Sequence, residues 1–339
     1  MLPPRGWCGG AIRRQAMVRP RRSLLALLLL LPFASGASCA AELWYGAQPT
    51  PVTIWSQGTR MAGNLWRAKG ADPKEKKAAI LLAHGWGGLR EHLDVTYGPK
   101  FAAAGFVVLA FDYRGWGESD GRLVASQALP APDEAGNVTV KARVIREVVD
   151  PWDQIEDLRA ALAVLASESD VDPQRIGIWG TSYGGGHAVT MAATEPRIRA
   201  AVAQVGAQGN VPNDEARAYA ERRAREKARG TLDPPIPQGI DQVPGLNGTP
   251  DFARMLSYQP RDLAAKIRVP VLFIDMADEE LFDRREHGLA AYEIVKEKAP
   301  ARYETFPGEH YDVYTTHYPA ASDLALEWFQ EHLKTGKTS

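Results

Sequence analysis

Residues 175–193, RIGIWGTSYGGGHAVTMAA, decide how this chain is read. Arg175–Trp179 is apolar and β-branched, the composition of a buried strand. Gly184–Thr194 is built of small and apolar residues, as a closely packed helix is. Between them stands Gly180-Thr181-Ser182-Tyr183-Gly184, a Gly-x-Ser-x-Gly pentapeptide. A strand that turns at once into a helix brings backbone against backbone, and glycine is the residue that tolerates the approach. Such a bend lifts the Ser182 hydroxyl clear of the sheet edge.

Outward from the bend the same alternation continues. Ala78–Ala83 (AAILLA) is a continuous apolar run of the kind a buried parallel strand shows, and Val107–Phe111, Ala200–Val205, Val269–Asp275 and Arg302–Phe306 read as further strands. Helices are expected over Glu91–Ala104, along Trp152, Ile155, Leu158, Leu162 and Leu165, over Arg284–Lys298 and over Ala320–Leu333. Val52–Ser56 and Met61–Arg67 flank Gln57-Gly58-Thr59 as an opening hairpin. The pattern predicts an α/β fold, a mostly parallel central sheet with helices on both faces. Two stretches break the rhythm. Residues 121–150 read as an extended loop with a β-like piece at Asn137–Val140. Residues 207–262 hold a charged helix over Asp214–Arg229 and then a Pro/Gly-rich run. An excursion of that length between core strands reads as a lid insertion above the sheet end where ligands bind. The core is then 41–206 together with 263–339.

The 339 residues carry 40 Lys+Arg against 41 Asp+Glu, a net charge of −1 that argues against nucleic acid as a partner. Two cysteines, Cys8 and Cys39, exclude a disulfide scaffold and a Cys-rich metal site. No metal or dinucleotide motif is present, so no cofactor is expected. Residues 1–40 have the order of a secretory signal peptide: basic residues from Arg13 to Arg22, the apolar run Leu24–Leu31, Pro32, then small residues to a cleavage point after Ala40. The apolar run is too short to span a bilayer, which takes about 20 residues, so no stable membrane insertion is expected once it is removed. The expected location is periplasmic or secreted. Nothing in the sequence speaks to oligomeric state.

Three more motifs accompany the pentapeptide. His84-Gly85-Trp86-Gly87-Gly88 follows the first buried strand, Phe111-Asp112-Tyr113-Arg114-Gly115-Trp116-Gly117-Glu118-Ser119 follows the next, and Gly308-Glu309-His310-Tyr311 follows the last. Together they resemble the α/β-hydrolase superfamily over about residues 50–335, most closely its dienelactone hydrolase and X-Pro dipeptidyl-peptidase-like (cocaine-esterase-like) branch. The resemblance implies a Ser182 nucleophile, a His310 base, and an oxyanion hole made by the backbone amides of Trp86 and Tyr183. It implies a structural turn at Asp112, Arg114 and Ser119. The acid belongs in the loop after Val269–Asp275, which reads Asp275-Met276-Ala277-Asp278-Glu279-Glu280. The family register points to Glu279, with Asp278 the alternative and Asp275 or Glu280 still open. The other six histidines are expected to be structural or peripheral: His84, His92, His187, His287, His317 and His332.

The implied function is a secreted serine hydrolase that cleaves small-molecule carboxylic esters through an acyl-enzyme, without metal or cofactor. One alternative is an X-Pro-type serine peptidase, which needs insertion carboxylates such as Glu215 and Glu221 to hold a substrate amine. The other is a non-catalytic binding protein on a hydrolase scaffold.

Overall fold

A computed structural model of the chain describes residues 46–209, 213–231 and 241–334. The expected signal peptide lies outside those residues. The chain opens with β1 (Ala47–Ser56) and β2 (Thr59–Ala68), paired antiparallel around Gln57-Gly58, followed by β3 (Lys77–Ala83). Alternation in β3 divides its side chains between two cores: Ala79, Leu81 and Ala83 join one, and Ala78, Ile80 and Leu82 join the other. A strand buried on both faces has no polar side, which is why the run is continuous in sequence.

The expected helix over Glu91–Ala104 is two short helices, α1 (Arg90–Asp94) and α2 (Tyr97–Ala103). Pro99 has no N–H to offer the Val95 carbonyl, which disfavours one continuous helix, and it stands in the first turn of α2. The Asp94 carboxylate instead accepts hydrogen bonds from Asn64 and from the Trp66 indole, each at 2.6 Å. Then come β4 (Val107–Phe111), β5 (Arg122–Ala125), β6 (Ala142–Ile145) and β7 (Val148–Val149). The β-like piece expected at Asn137–Val140 is not a strand. The pairing is β5 with β6, and the Asp133 carboxylate turns the chain between them by accepting from the amides of Ala135 and Asn137.

The helix α3 (Pro151–Ser167) is capped by Asp150, whose side chain accepts from the Trp152 and Asp153 amides. Next are β8 (Val171–Thr181), α4 (Tyr183–Thr194) and β9 (Ile198–Gln204). β8 starts four residues ahead of the expected strand because Val171 pairs with Lys77 before a bulge, and Ile176 with Ala79 after it. The insertion holds α5 (Asp214–Ala228), β10 (Thr249–Pro250), which pairs with β7, and α6 (Phe252–Met255). α7 (Pro260–Leu263), β11 (Val271–Met276), α8 (Gly288–Val295), β12 (Ala301–Phe306) and α9 (Tyr318–Phe329) complete the described chain. α8 is shorter than the expected Arg284–Lys298, since the Asp283 carboxylate takes the Arg285 amide into a turn and the helix starts only after His287.

The main sheet runs β1-β2-β4-β3-β8-β9-β11-β12, antiparallel across β1, β2 and β4 and parallel from β4 onward. Residues of α3, α4 and α8 pack in one core, and residues of α2 and α9 in the other. This is the doubly covered α/β architecture. The carboxyl ends of β3, β8, β11 and β12 share one edge of the sheet, and Trp86, Ser182, Tyr183, Asp278, Glu279 and His310 each follow one of them.

Candidate active site

At the carboxyl end of β8 the chain bends at Ser182, whose φ is 54° and ψ −122°. A non-glycine residue at positive φ is strained and is kept only where the surroundings hold it. They do so here. The Ser182 amide donates to the Gln204 carbonyl, and its own carbonyl accepts from Gly185 and Ala207 at 2.9 and 3.0 Å. A Cβ on Gly184 would press into the carbonyl oxygens of Ala83 and His84, and one on Gly180 into the carbonyl of Gly184. The glycines thus allow β3, β8 and α4 to meet at the bend.

The His84–Gly88 loop lies directly against it. A Cβ on Gly85 would stand 2.9 Å from the Ser182 Cβ and 3.4 Å from its Oγ. Trp86 meets the Tyr183 ring edge-on at 5.4 Å, and its indole N–H donates to the Asn247 carbonyl of the insertion at 2.9 Å. The side chains of Trp86 and Tyr183 therefore meet beside the bend, and both residues line the cavity with Ser182.

His310 begins a 3-10 turn, His310–Tyr314, after β12. Its Nδ1 lies 2.9 and 2.8 Å from the two Glu279 oxygens, and both side chains are almost fully buried, 2% and 1% exposed. The crowded carboxylates of this loop go to separate partners. Asp278 accepts from the Gly308 amide at 3.2 Å, Glu280 from the His310 amide at 2.7 Å, and Asp275 from the Tyr303 hydroxyl at 2.8 Å. Burial pushes the Asp275 carboxyl up to about 7, and the charge of Glu279 adds to that.

One contact joins the His310 turn to the bend, and a second ties it to the cavity wall. The Tyr314 hydroxyl and Thr181 Oγ1 are 2.7 Å apart, and Thr181 is the residue before Ser182. That pair continues a buried chain in which Tyr97 donates to Gln204 at 2.8 Å and Gln204 to Thr181 at 3.2 Å. Phe282 meets the His310 ring edge-on at 5.8 Å and lines the same cavity as Ser182. Tyr314 and Phe282 were not singled out in the sequence. Tyr314 stands four residues after His310, a helical spacing that is a usable signal, whereas Phe282 had none.

The remaining histidines have other surroundings. His187 donates from Nε2 to Gln154 at 2.9 Å and accepts the Tyr258 hydroxyl at Nδ1, and burial lowers it to about 3. His84 donates to the Gly85 carbonyl at 3.1 Å, and burial lowers it to about 4. His287 accepts the Gln208 amide at 2.9 Å and lines the cavity, lowered to about 4 by burial first and by the charge of Arg261 second. His317 stacks on Phe306 and His332 packs on Trp328, while His92 is exposed on α1. Arg114 is bound to the buried Asp157 and to Ser56, and the Ser119 hydroxyl donates to the Asp112 carbonyl, so this turn is structural scaffold.

A cavity of about 780 Å³ opens over Ser182, a volume in the range that holds small-molecule ligands. One wall is Trp86, Tyr183, Phe282 and His287. The other wall is the insertion: Asn213, then Glu215, Ala216, Tyr219 and Ala220 of α5, with Phe252, Met255, Leu256, Tyr258 and Gln259. Glu215 lines the cavity, whereas Glu221 is turned away and reaches Arg225. Among the described residues no group of His, Cys, Asp and Glu could hold a metal ion, and no helix is long and apolar enough to cross a membrane.

Residues 66–312 match the model of the family described as "Dienelactone hydrolase family". The chain belongs to the dienelactone hydrolase family. A similar relative is the "Uncharacterized 31.7 kDa protein in traX-finO intergenic region" of Escherichia coli, 29% identical over 295 residues, or 76% of this chain and 92% of that one. A second is the "Quorum-quenching protein AidA" of Acinetobacter baumannii, 35% identical over 125 residues, 37% of this chain and 34% of that one. Among solved structures, the alpha/beta hydrolase GrgF from Penicillium sp. sh18 superposes with a TM-score of 0.65 at 18% identity, covering 85% of this chain and 99% of that one. At that identity the likeness speaks for the α/β-hydrolase fold. Family membership speaks for hydrolysis as the chemistry of this dienelactone hydrolase relative.

Proposed function

We propose that the chain is an exported serine hydrolase that cleaves carboxylic esters. The observation that carries this reading is the buried pairing of His310 Nδ1 with Glu279, on a turn whose Tyr314 is bonded to Thr181, the residue before a serine held at positive φ. A serine hydroxyl becomes a competent nucleophile when an oriented base takes its proton. In this reading Glu279 fixes the imidazole tautomer and stabilises the imidazolium that forms. His310 Nε2 takes the Ser182 proton as Oγ adds to the ester carbonyl. The Trp86 and Tyr183 amides receive the oxyanion, each such donor contributing about 3 kcal/mol to lowering the barrier. His310 then gives its proton to the departing alcohol, and water releases the acyl group through the same base. Glu279 rather than Asp278 is the acid because Asp278 is exposed and bonded to the Gly308 amide.

The test is turnover of p-nitrophenyl esters by the unaltered protein and by Ser182→Ala. A loss of about 10⁴-fold or more is expected, and unchanged turnover would overturn the mechanism. The presence of Glu215 in the cavity wall favours one second reading, an N-terminal peptidase that holds a substrate amine. An X-Pro anilide cleaved faster than the ester in the same assay would shift the assignment to it. Export rests on the order of residues 13–41, and recovery of the protein only from the cytoplasmic fraction would remove it.

A further inference from the structure

The charges of α5 are distributed unevenly with respect to the cavity. Ala216, Tyr219 and Ala220 face it at helical spacing, with Glu215 one turn before Tyr219. Four of the five basic residues of the same helix are engaged elsewhere, and the fifth, Arg217, is exposed and is not among the residues that line the cavity. Arg222 reaches Glu226 at 3.9 Å, Arg223 reaches Asp241 at 3.0 Å, Arg225 reaches Glu221 at 3.7 Å, and Lys227 is paired with Asp251. Among the described residues that line the cavity there is no Lys or Arg, and Glu215 is the one carboxylate. The one histidine besides His310 at this site, His287, takes the Gln208 amide on Nδ1 and is held neutral by its burial. Apart from the neutral amides of Asn213 and Gln259, the rest of the insertion wall is apolar or aromatic, with Phe252, Met255 and Leu256 prominent.

A ligand carboxylate placed against this wall would give up part of its hydration and meet no lining cation in return. It would also meet the negative charge of Glu215. An apolar group gains from leaving water at the same place. We infer that the cavity selects neutral esters carrying a large apolar group and rejects those with a carboxylate in that group, with Glu215 setting the charge preference. This deepens the ester-hydrolase reading and rests on it for the site of cleavage.

The experiment compares kcat/KM for p-nitrophenyl octanoate and for the mono-p-nitrophenyl ester of octanedioic acid, which differ by a terminal methyl against a terminal carboxylate. The expected preference for the neutral ester is tenfold or more. Glu215→Gln should narrow that ratio at least threefold, while Glu221→Gln, on the side of α5 away from the cavity, leaves it within twofold. Calorimetric binding of methyl octanoate and monomethyl octanedioate to Ser182→Ala protein separates specificity from chemistry. If the unaltered protein turns over no ester but the variant binds the neutral ligand tenfold more tightly, the catalytic reading fails and the charge preference stands. Equal or better use of the carboxylate ester, equal binding of the two ligands, or the same response of the ratio to both substitutions overturns the inference.

Discussion

On the elbow side of the cavity, β3, β8 and α4 meet backbone against backbone at Gly180 and Gly184, and the bend is closed by main-chain bonds to the Gln204 carbonyl and from the Gly185 and Ala207 amides. On the insertion side, α5 is held by side-chain charge: the buried Arg223–Asp241 pair, Glu226 beside it, and Lys227 on Asp251. Steric contact between backbones leaves almost no choice of residue. Ion pairs can be exchanged for others of similar reach. The first wall therefore leaves a motif in the sequence, and the second leaves only a charged composition.

The largest effect should come from breaking the elbow. Gly184→Ala forces a methyl group into two backbone carbonyls of the adjoining loop, a clash that no side-chain rotation relieves. A destabilisation of at least about 3 kcal/mol and loss of soluble folded protein are expected in a denaturant titration. A variant with an unchanged midpoint would show that the bend has slack. Next is the acid loop between the two walls. Glu279→Gln should lower kcat by about 10³–10⁴-fold, while Asp278→Asn stays within about tenfold. The reverse order in steady-state kinetics would move the acid to Asp278.

The insertion should respond differently. Asp241→Asn leaves Arg223 with Glu226 and the Tyr219 hydroxyl, so it weakens the wall without removing it. A severalfold rise in KM for a long-chain ester, with kcat for a short one within twofold and the main thermal transition unmoved, is the expected pattern. A fall of the main transition by several degrees would show that the insertion and sheet unfold as one unit. The smallest effect concerns Asp275. Its carboxyl, raised to about 7, stays protonated in the fold while the unfolded chain releases the proton near 4. The folded state binds more protons across that interval, so this group lowers stability as pH rises from about 4 to about 7. Asp275→Asn should flatten that part of the melting profile, keeping the Tyr303 hydrogen bond. A profile that remains parallel to the unaltered protein's would show that Asp275 titrates normally.

The α/β layering was legible because β3, β4, β9 and β11 are largely continuous apolar runs and α3 repeats its apolar residues at three and four positions. The elbow was legible because its glycines answer a steric demand. The loop carboxylates were not separable by residue type: Asp275, Asp278, Glu279 and Glu280 differ in what they meet, and that depends on how β11 and β12 end. The split of α1 from α2 was readable in Pro99, which the apolar spacing masked. The cavity-facing side of α5 had no signature, since alanines and one tyrosine among arginines fit a solvated helix equally well.

The central claim is that an oriented imidazole makes Ser182 reactive. Intact-mass measurement after treatment with a fluorophosphonate, followed by peptide mapping, tests it most directly. One adduct per chain, mapped to Ser182 and slowed at least a hundredfold in His310→Ala, is the result this account predicts. No adduct, or an adduct at Ser182 that forms equally fast without His310, would contradict it.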